Sequence, residues 1–473
     1  MTEIDLSRID ILERTMAEIS AKVSAEGFGA DFSHRRLGNG TRMLNDDLDT
    51  GDTAWMLMSC ALVLLMTLPG LALFYGGMQE KKNVLTTAMQ AFSIACLVTF
   101  LWLSIGYSLS FGPVDSEPEN SVIGDSSRMW LDGLEIDSMS GTIPESVFIV
   151  FQLTFAIITP TLAVGAFGDR VKYGSLLIFV TLWLIFAYCP IAHANWHGAG
   201  ILHKLGAVDF AGGNVVHISS GVAGLVATVI LGKRKGFGTE HFEPHNILLS
   251  FIGASMLWFG WFGFNAGSAI GANSGAGYAM ITTIICTAVA AITWTMAEYM
   301  HRKQTSLLGM VSGVVAGLVA ITPACGFVDP TGAFVIGVVA GPWCFYGARL
   351  KSYLGYDDAC DAFGVHGTGG LLGGLMTGLF AQAEISGTDG AFYGNGELFG
   401  FQLAGCLLSG AWSAVVTAIL VIAIEKSIGF RVSTKDEAMG LDESIHGEVV
   451  GTDGGPSNST STTRGPNPVQ SLA

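Results

Sequence analysis

"FGVHGTGGLLGGL", residues 363–375, places one histidine, His366, inside an apolar, glycine-rich run. "FAGGNVVHISSGVAGL", residues 210–225, does the same with His217. Both histidines follow a phenylalanine–glycine element and lead into small residues. An ionisable side chain inside a membrane span is costly and is by default a functional position. Whether these two runs are spans therefore decides both the fold and the place to look for function.

Composition answers the first half of that question. The chain has 473 residues, of which 50% are hydrophobic and 13% charged. Soluble proteins carry roughly 25% charged residues. Apolar stretches of about 18 residues or more, long enough to cross a bilayer as helices, recur along the sequence. Eleven are expected, at about 53–76, 84–111, 145–167, 174–193, 213–232, 246–268, 276–299, 306–323, 331–350, 361–381 and 399–424. Each is expected to be helical, because a spanning segment has to satisfy its own backbone hydrogen bonds. The 63 glycines suit helices that pack backbone to backbone.

The connections orient the spans. Odd-numbered spans are followed by Lys81 and Lys82; Arg170 and Lys172; Lys233, Arg234 and Lys235; Arg302 and Lys303; and Arg349 and Lys351. Even-numbered spans are followed by Arg128 and Lys204 alone. The positive-inside rule then predicts an outside N-terminus and a cytoplasmic C-terminus. The loop at about 112–144 is acidic, reads mainly as a solvated surface, and would face outside. A net charge of -16 argues against a nucleic-acid partner. The eight cysteines form no CxxC pair, and no HExxH or comparable metal spacing occurs.

The chain divides into three parts. Residues 1–51 form a polar, extracytoplasmic extension without the basic and apolar regions of a signal peptide. Within it, Ile9, Leu12, Met16, Ile19 and Val23 describe a short amphipathic helix, and Asn39-Gly40-Thr41 is a sequon. Residues 52–425 form the membrane domain. Residues 426–473 form a cytoplasmic tail, rich in Gly, Ser, Thr and Asn and expected to be disordered after about 450.

His217 falls in span five and His366 in span ten, so their spans run in opposite directions. Matched motifs so placed suggest an inverted repeat of five plus five spans, with one span added. Substrate sites in such folds lie near the midplane between the halves. Taking two imidazoles out of water favours their neutral forms. A neutral pair can share one proton, accept a hydrogen bond from a small polar molecule, or pass protons. Two imidazoles alone make a poor zinc site. At the predicted outer side stand Phe151, Phe155, Trp196 and "WFGFNAGSA" (261–269), with Trp261, Phe264 and Ser268. Aromatic faces attract cations, a hydroxyl can accept from ammonium, and a phenylalanine pair can form a constriction. From spacing alone Trp196 reads as an interfacial belt residue. Asp209, eight residues before His217, can bind a cation or cap the helix, and capping is the favoured reading.

Together "GLALFYGGM", "PIAHANWHGAG", "DFAGGNVVHISSG", "WFGFNAGSA", "SLLGMVSGVVAGLVAITPACG", "DDACDAFGVHGTGG" and "GFRVSTKDEAMGLDESIHGE" resemble the ammonium transporter, methylammonium permease and Rhesus protein family, over about residues 52–450. The resemblance implies an all-α membrane protein of eleven helices, assembled as a homotrimer with one pore per subunit. It implies an outer substrate site at Trp196, Ser268 and Phe151, a gate at Phe155 and Phe264, and pore residues His217, His366 and Trp261. Asp209 matches the family's essential aspartate, whose role is more structural than ligating. The implied activity is transport, not enzymatic catalysis, with no cofactor or metal. Ammonium is recruited and deprotonated near the gate, and ammonia passes the histidines. Proton relay and electrogenic uptake across the plasma membrane are the expected form. Implied partners are ammonium or ammonia, methylammonium as an analogue, membrane lipid and a PII-type regulatory protein. An ammonium sensor and a Rhesus-like neutral ammonia channel are the alternatives. Trp196 and the Phe155/Phe264 pair favour the ammonium transporter side over the Rhesus one.

Overall fold

The computed structural model describes residues 47–112, 121–240 and 242–451. The expected helix at 9–23, the sequon at 39–41 and the tail beyond 451 lie outside the described residues. The first helices are α1 (Thr50–Met78), α2 (Lys81–Phe111), α3 (Glu145–Val164), α4 (Tyr173–Leu205), α5 (Gly213–Leu231), α6 (Ile247–Gly267) and α7 (Ser274–Arg302). A shorter apolar helix, α8 (Leu307–Ile321), precedes α9 (Pro330–Leu354). Next come α10, a π-helical turn at Phe363–Gly367 running into the helix Thr368–Phe380, and α11 (Gly396–Ser427). Nine of these are long and apolar enough to cross a membrane among the described residues. Strand structure there is confined to a two-stranded hairpin, Met139–Ser140 against Ile143–Pro144. The chain is an all-α, multi-pass membrane protein.

The helices are less regular than length and hydropathy alone suggest. π-Helical turns interrupt α1 at Met66–Leu71, α2 at Trp102–Gly106 and α4 at Leu184–Tyr188. In α4 the cause is Pro190, which has no N–H and whose ring clashes with the carbonyl four residues earlier. That carbonyl, on Phe186, instead accepts the indole N–H of Trp412 from α11 at 2.9 Å. A neighbouring helix thus satisfies the group that proline releases, as low-dielectric surroundings require. The fourth span was expected to end near 193. It continues helically through Trp196 and, after a non-helical break at 197–200, closes with the turn Ile201–Leu205.

Close backbone approach holds α1 and α6 together. A Cβ on Gly253 would lie 2.2 Å from the Phe74 nitrogen, so only hydrogen fits there. One turn away, Ser250 Oγ donates to the Phe74 carbonyl at 3.1 Å.

At the end where odd-numbered helices finish, the basic end, two arginines and two aspartates interlock. The fully buried Arg170 contacts Asp169 at 2.9 Å and Asp357 at 3.1 Å. Arg234 contacts Asp169 at 3.0 Å and Asp357 at 2.6 Å. The segment after α11 is stitched onto this network. Lys172 N–H donates to the Phe430 carbonyl, and Val432 N–H to that of Arg170. Arg431 pairs with Glu437, and the Asp442 carboxylate accepts from the N–H groups of Leu85 and Thr86 at the start of α2.

Burial alone would raise the pKa of Asp357, but its hydrogen bonds to Arg234 and the charge of Arg170 outweigh that and lower it. A carboxylate depressed on folding contributes stability above its unfolded pKa, near 3.9, and loses it as pH falls through the lower folded value. The thermal midpoint of purified native protein should therefore drop steeply below about pH 4. Asp357→Asn should start lower and fall less over the same range. Parallel pH curves for the two proteins would contradict this assignment.

Candidate functional site

Both histidines ride on helices that begin inside the protein, and each start is secured in the same way. The first N–H groups of a helix have no partner within it. Before α5, the Asp209 carboxylate accepts from Gly212 (2.9 Å), Gly213 (2.6 Å), Asn214 (2.8 Å) and Val215 (3.2 Å). The following turn, Gly213–Ile218, is π-helical and carries His217. Before α10, the Asp358 carboxylate accepts from Ala362 at 3.0 Å and Phe363 at 2.9 Å. The turn that follows is again π-helical and carries His366. Each aspartate stands eight residues before its histidine. Asp358 was not singled out from the sequence, although that repeated spacing in "DDACDAFGVH" is a signal that could have found it.

The two turns bring the imidazoles together. Ring centroids are 5.3 Å apart with planes at 25°, and Nδ1 faces Nδ1 at 3.3 Å. At that contact one Nδ1 donates and the other accepts. The Nε2 of His217 is buried and makes no hydrogen bond within the protein. Glycine permits the approach: a Cβ on Gly221 would lie 2.2 Å from the Gly367 nitrogen.

An aromatic line leads away from the pair. The Trp261 ring lies 5.5 Å from His217, near-parallel at 19°, and Phe264 lies 6.0 Å from it. Trp261 is fixed by its indole N–H, which donates to Thr322 Oγ1 at 3.0 Å. Phe264 stacks on Phe155 at 4.3 Å and 28°. Phe155 in turn meets Phe151 at 5.0 Å and Trp196 at 5.6 Å, both edge to face. Beyond that stack an open cavity of about 180 Å³ is lined by Phe151, Gln152, Phe155, Trp196, Ser268 and Ile270, among others. Trp196 is therefore on a cavity wall, not only in an interfacial belt. The Ser268 hydroxyl donates to the Phe264 carbonyl at 2.8 Å, which leaves its lone pairs free to accept.

Asp209 is not among the cavity's lining residues. Its carboxylate serves the start of α5, while its own carbonyl accepts the Trp196 indole N–H at 2.9 Å. Phe151, Trp196 and Ser268 at the cavity, the Phe155/Phe264 stack, and Trp261, His217 and His366 thus form one continuous file. Asp209 stands beside it, bonded to the Trp196 indole and to the start of the helix that carries His217.

Comparison with known proteins decides the family. The model of the Ammonium Transporter Family matches residues 54–450. The chain belongs to that family. An ammonium transporter of Bacillus subtilis is 46% identical over 406 residues, covering 85% of this chain and 98% of that protein. The crystal structure of Saccharomyces cerevisiae Mep2 aligns with a TM-score of 0.78 at 34% identity, covering 83% of this chain and 90% of that one. A structure described as a sensor Amt protein aligns at 0.77 with 26% identity, covering 84% and 98%.

The four bonds to Asp209 set the sharpest test of this geometry. Asp209→Ala leaves four N–H groups without their acceptor, at a cost of roughly 1–3 kcal/mol for each group that finds no substitute. It should fail to give stable, monodisperse protein. Asp209→Asn retains an acceptor oxygen and should fold with a lower thermal midpoint. Native heat stability in the alanine variant would show that the cap contributes little.

Proposed function

We propose that this transporter recruits ammonium ion at the cup of Phe151, Trp196 and Ser268, deprotonates it at the Phe155/Phe264 gate, and conducts ammonia past His217 and His366. The observation that carries the reading is the gate's position. A ring pair stacked at 4.3 Å lies between a cavity rich in aromatic faces and the buried imidazoles. The cup suits a cation, because desolvated aromatic faces and a free hydroxyl oxygen attract one. The passage beyond suits a neutral molecule, because a bare ion in apolar surroundings is costly. The paired imidazoles supply a polar line along which ammonia can exchange hydrogen bonds. The proton released at the gate follows by relay, making net uptake electrogenic. Potassium, which has no proton to shed, is rejected.

The chain is read as eleven spans in an inverted five-plus-five repeat with one span added. It assembles as a homotrimer with one pore per subunit in the plasma membrane, N-terminus outside and C-terminus cytoplasmic. The matched aspartate, π-turn and histidine at α5 and α10 support the repeat, and the basic residues after odd helices support the orientation. The basic end is then cytoplasmic, where a PII-type regulatory protein would dock. A sensor role is the second reading, favoured by the similarity to a sensor Amt protein.

Solid-supported-membrane electrophysiology on reconstituted protein tests the proposal. Ammonium should evoke current and potassium none. His217→Asp and His366→Asp should alter rate or ion selectivity. Ammonia flux without current would favour a neutral channel, and silence in both assays a sensor. Native rate and selectivity in both histidine variants would remove the imidazole pair from the pathway.

A further inference from the structure

A second tie, apart from Asp209, joins the wall of the cup to the histidine helix. Asn195 directly precedes Trp196 on α4, and Asn214 stands three residues before His217 in the π-helical turn of α5. Both side chains are buried. Asn214 Nδ2 donates to Asn195 Oδ1 at 3.0 Å. Asn195 Nδ2 donates in turn to the Ile191 carbonyl at 2.8 Å and, more weakly, to Ser409 Oγ of α11 at 3.4 Å. Gly405, one turn before Ser409, leaves room for the pair: a Cβ there would lie 3.0 Å from Asn214 Nδ2. Three helices thus meet at one pair of amides. Inside a membrane protein such groups have no water to fall back on, so each depends on the other.

The two ties differ in kind. The Trp196 indole meets the Asp209 carbonyl at the far end of a long side chain, a contact that fixes the ring more than the backbone behind it. Asparagine is short, and two of them bonded end to end set the separation of the α4 and α5 backbones directly. The turn they hold is the one that aims His217, and the aim has little tolerance. Nδ1 of His217 faces Nδ1 of His366 at 3.3 Å, close to the limit of a hydrogen bond. A small rotation of the turn breaks that contact. We propose that Asn195 and Asn214 are positioning residues for transport, whose bond sets the turn so that His217 stays within reach of His366. The inference rests on the reading of His217 as a pore residue. Neither asparagine is among the residues lining the cup's cavity, so the effect falls on rate and not on recruitment.

The test compares thermal midpoints with ammonium-evoked currents of the reconstituted full chain. Asn195→Leu and Asn214→Leu each strand the other amide and should lower both the midpoint and the maximal current. The double variant carrying both substitutions leaves neither amide unpaired. It should regain most of the midpoint, because replacing both partners by apolar groups of similar shape is nearly neutral. Its maximal current should stay about tenfold below native, within the range that a small misplacement of a working group produces. Its half-saturating ammonium concentration should be native. Asn195→Asp keeps an acceptor for Asn214 but loses the donations to Ile191 and Ser409. It should pair a lower midpoint with a native maximal current. Current that recovers with stability in the double variant, or that falls with stability in Asn195→Asp, would overturn the proposal. So would a raised half-saturating concentration at native maximal current. If the double variant does not fold, Asn195→Asp is set against Asn195→Ala. Native current in the first with reduced current in the second supports the assignment, and equal currents overturn it. Unchanged currents in His217→Asp remove the pore reading itself. A sensitive His217 beside native currents in the double variant removes only the positioning role.

Discussion

Two helices, α5 and α10, begin within the protein, and the N–H groups of their first turns have no water to turn to. Each is closed by a single aspartate placed just upstream, with Asp209 taking four N–H groups and Asp358 two. Much of the site depends on that constraint. A helix start satisfied by a short, rigid side chain has one position and one direction. The histidine in the next turn inherits both. The π-helical turn adds a residue to the loop closed by each hydrogen bond, which rotates the side chains that follow it, a device common at functional sites.

Asp209 does more than close a helix. Its carbonyl receives the Trp196 indole, and the neighbouring Val208 is bound through both its N–H and its carbonyl by Gln402 of α11. The Trp196 wall of the cavity and the start of the histidine helix therefore share one anchor. A displacement of that anchor would misplace the cup and the imidazole together. This is a physical reason for an acidic residue to be indispensable without touching the substrate. Both its oxygens are already committed to backbone donors, which leaves the carboxylate poorly placed to serve as a ligand.

Much of this was legible in the sequence. Apolar length outlined most of the helices to within a few residues, because hydrocarbon thickness and backbone satisfaction leave little choice. His217 and His366 announced themselves as titratable groups in glycine-rich runs. The capping reading of Asp209 followed from its place before a span. Other features depend on partners distant in sequence. The π turn in α4 needs both Pro190 and an indole from Trp412, more than 200 positions away. The pairing of Asn195 with Asn214 becomes visible only when α4 and α5 are in place. Trp196 reads as a belt residue from spacing, since the neighbour that redefines it, Phe155, lies on another helix.

The two helix starts differ in one respect that bears on control. Asp209 is tied to a tryptophan, and its neighbour Val208 to the Gln402 amide, both uncharged. Asp358 follows Asp357 directly, and Asp357 belongs to the buried network of Arg170 and Arg234. The segment after α11 joins that network through Arg170, Glu437 and the N–H of Lys235. One peptide bond thus separates the group that seats the His366 helix from the group that answers to the tail. A buried charge left without its partner costs several kcal/mol, so such a network holds its members in place more firmly than surface pairs do. Movement of the tail relative to the arginines would pull first on Asp357, and through it on the start of α10. The start of the His366 helix is therefore coupled through one peptide bond to the charged network on which the segment after α11 packs, while the start of the His217 helix is held by uncharged partners alone.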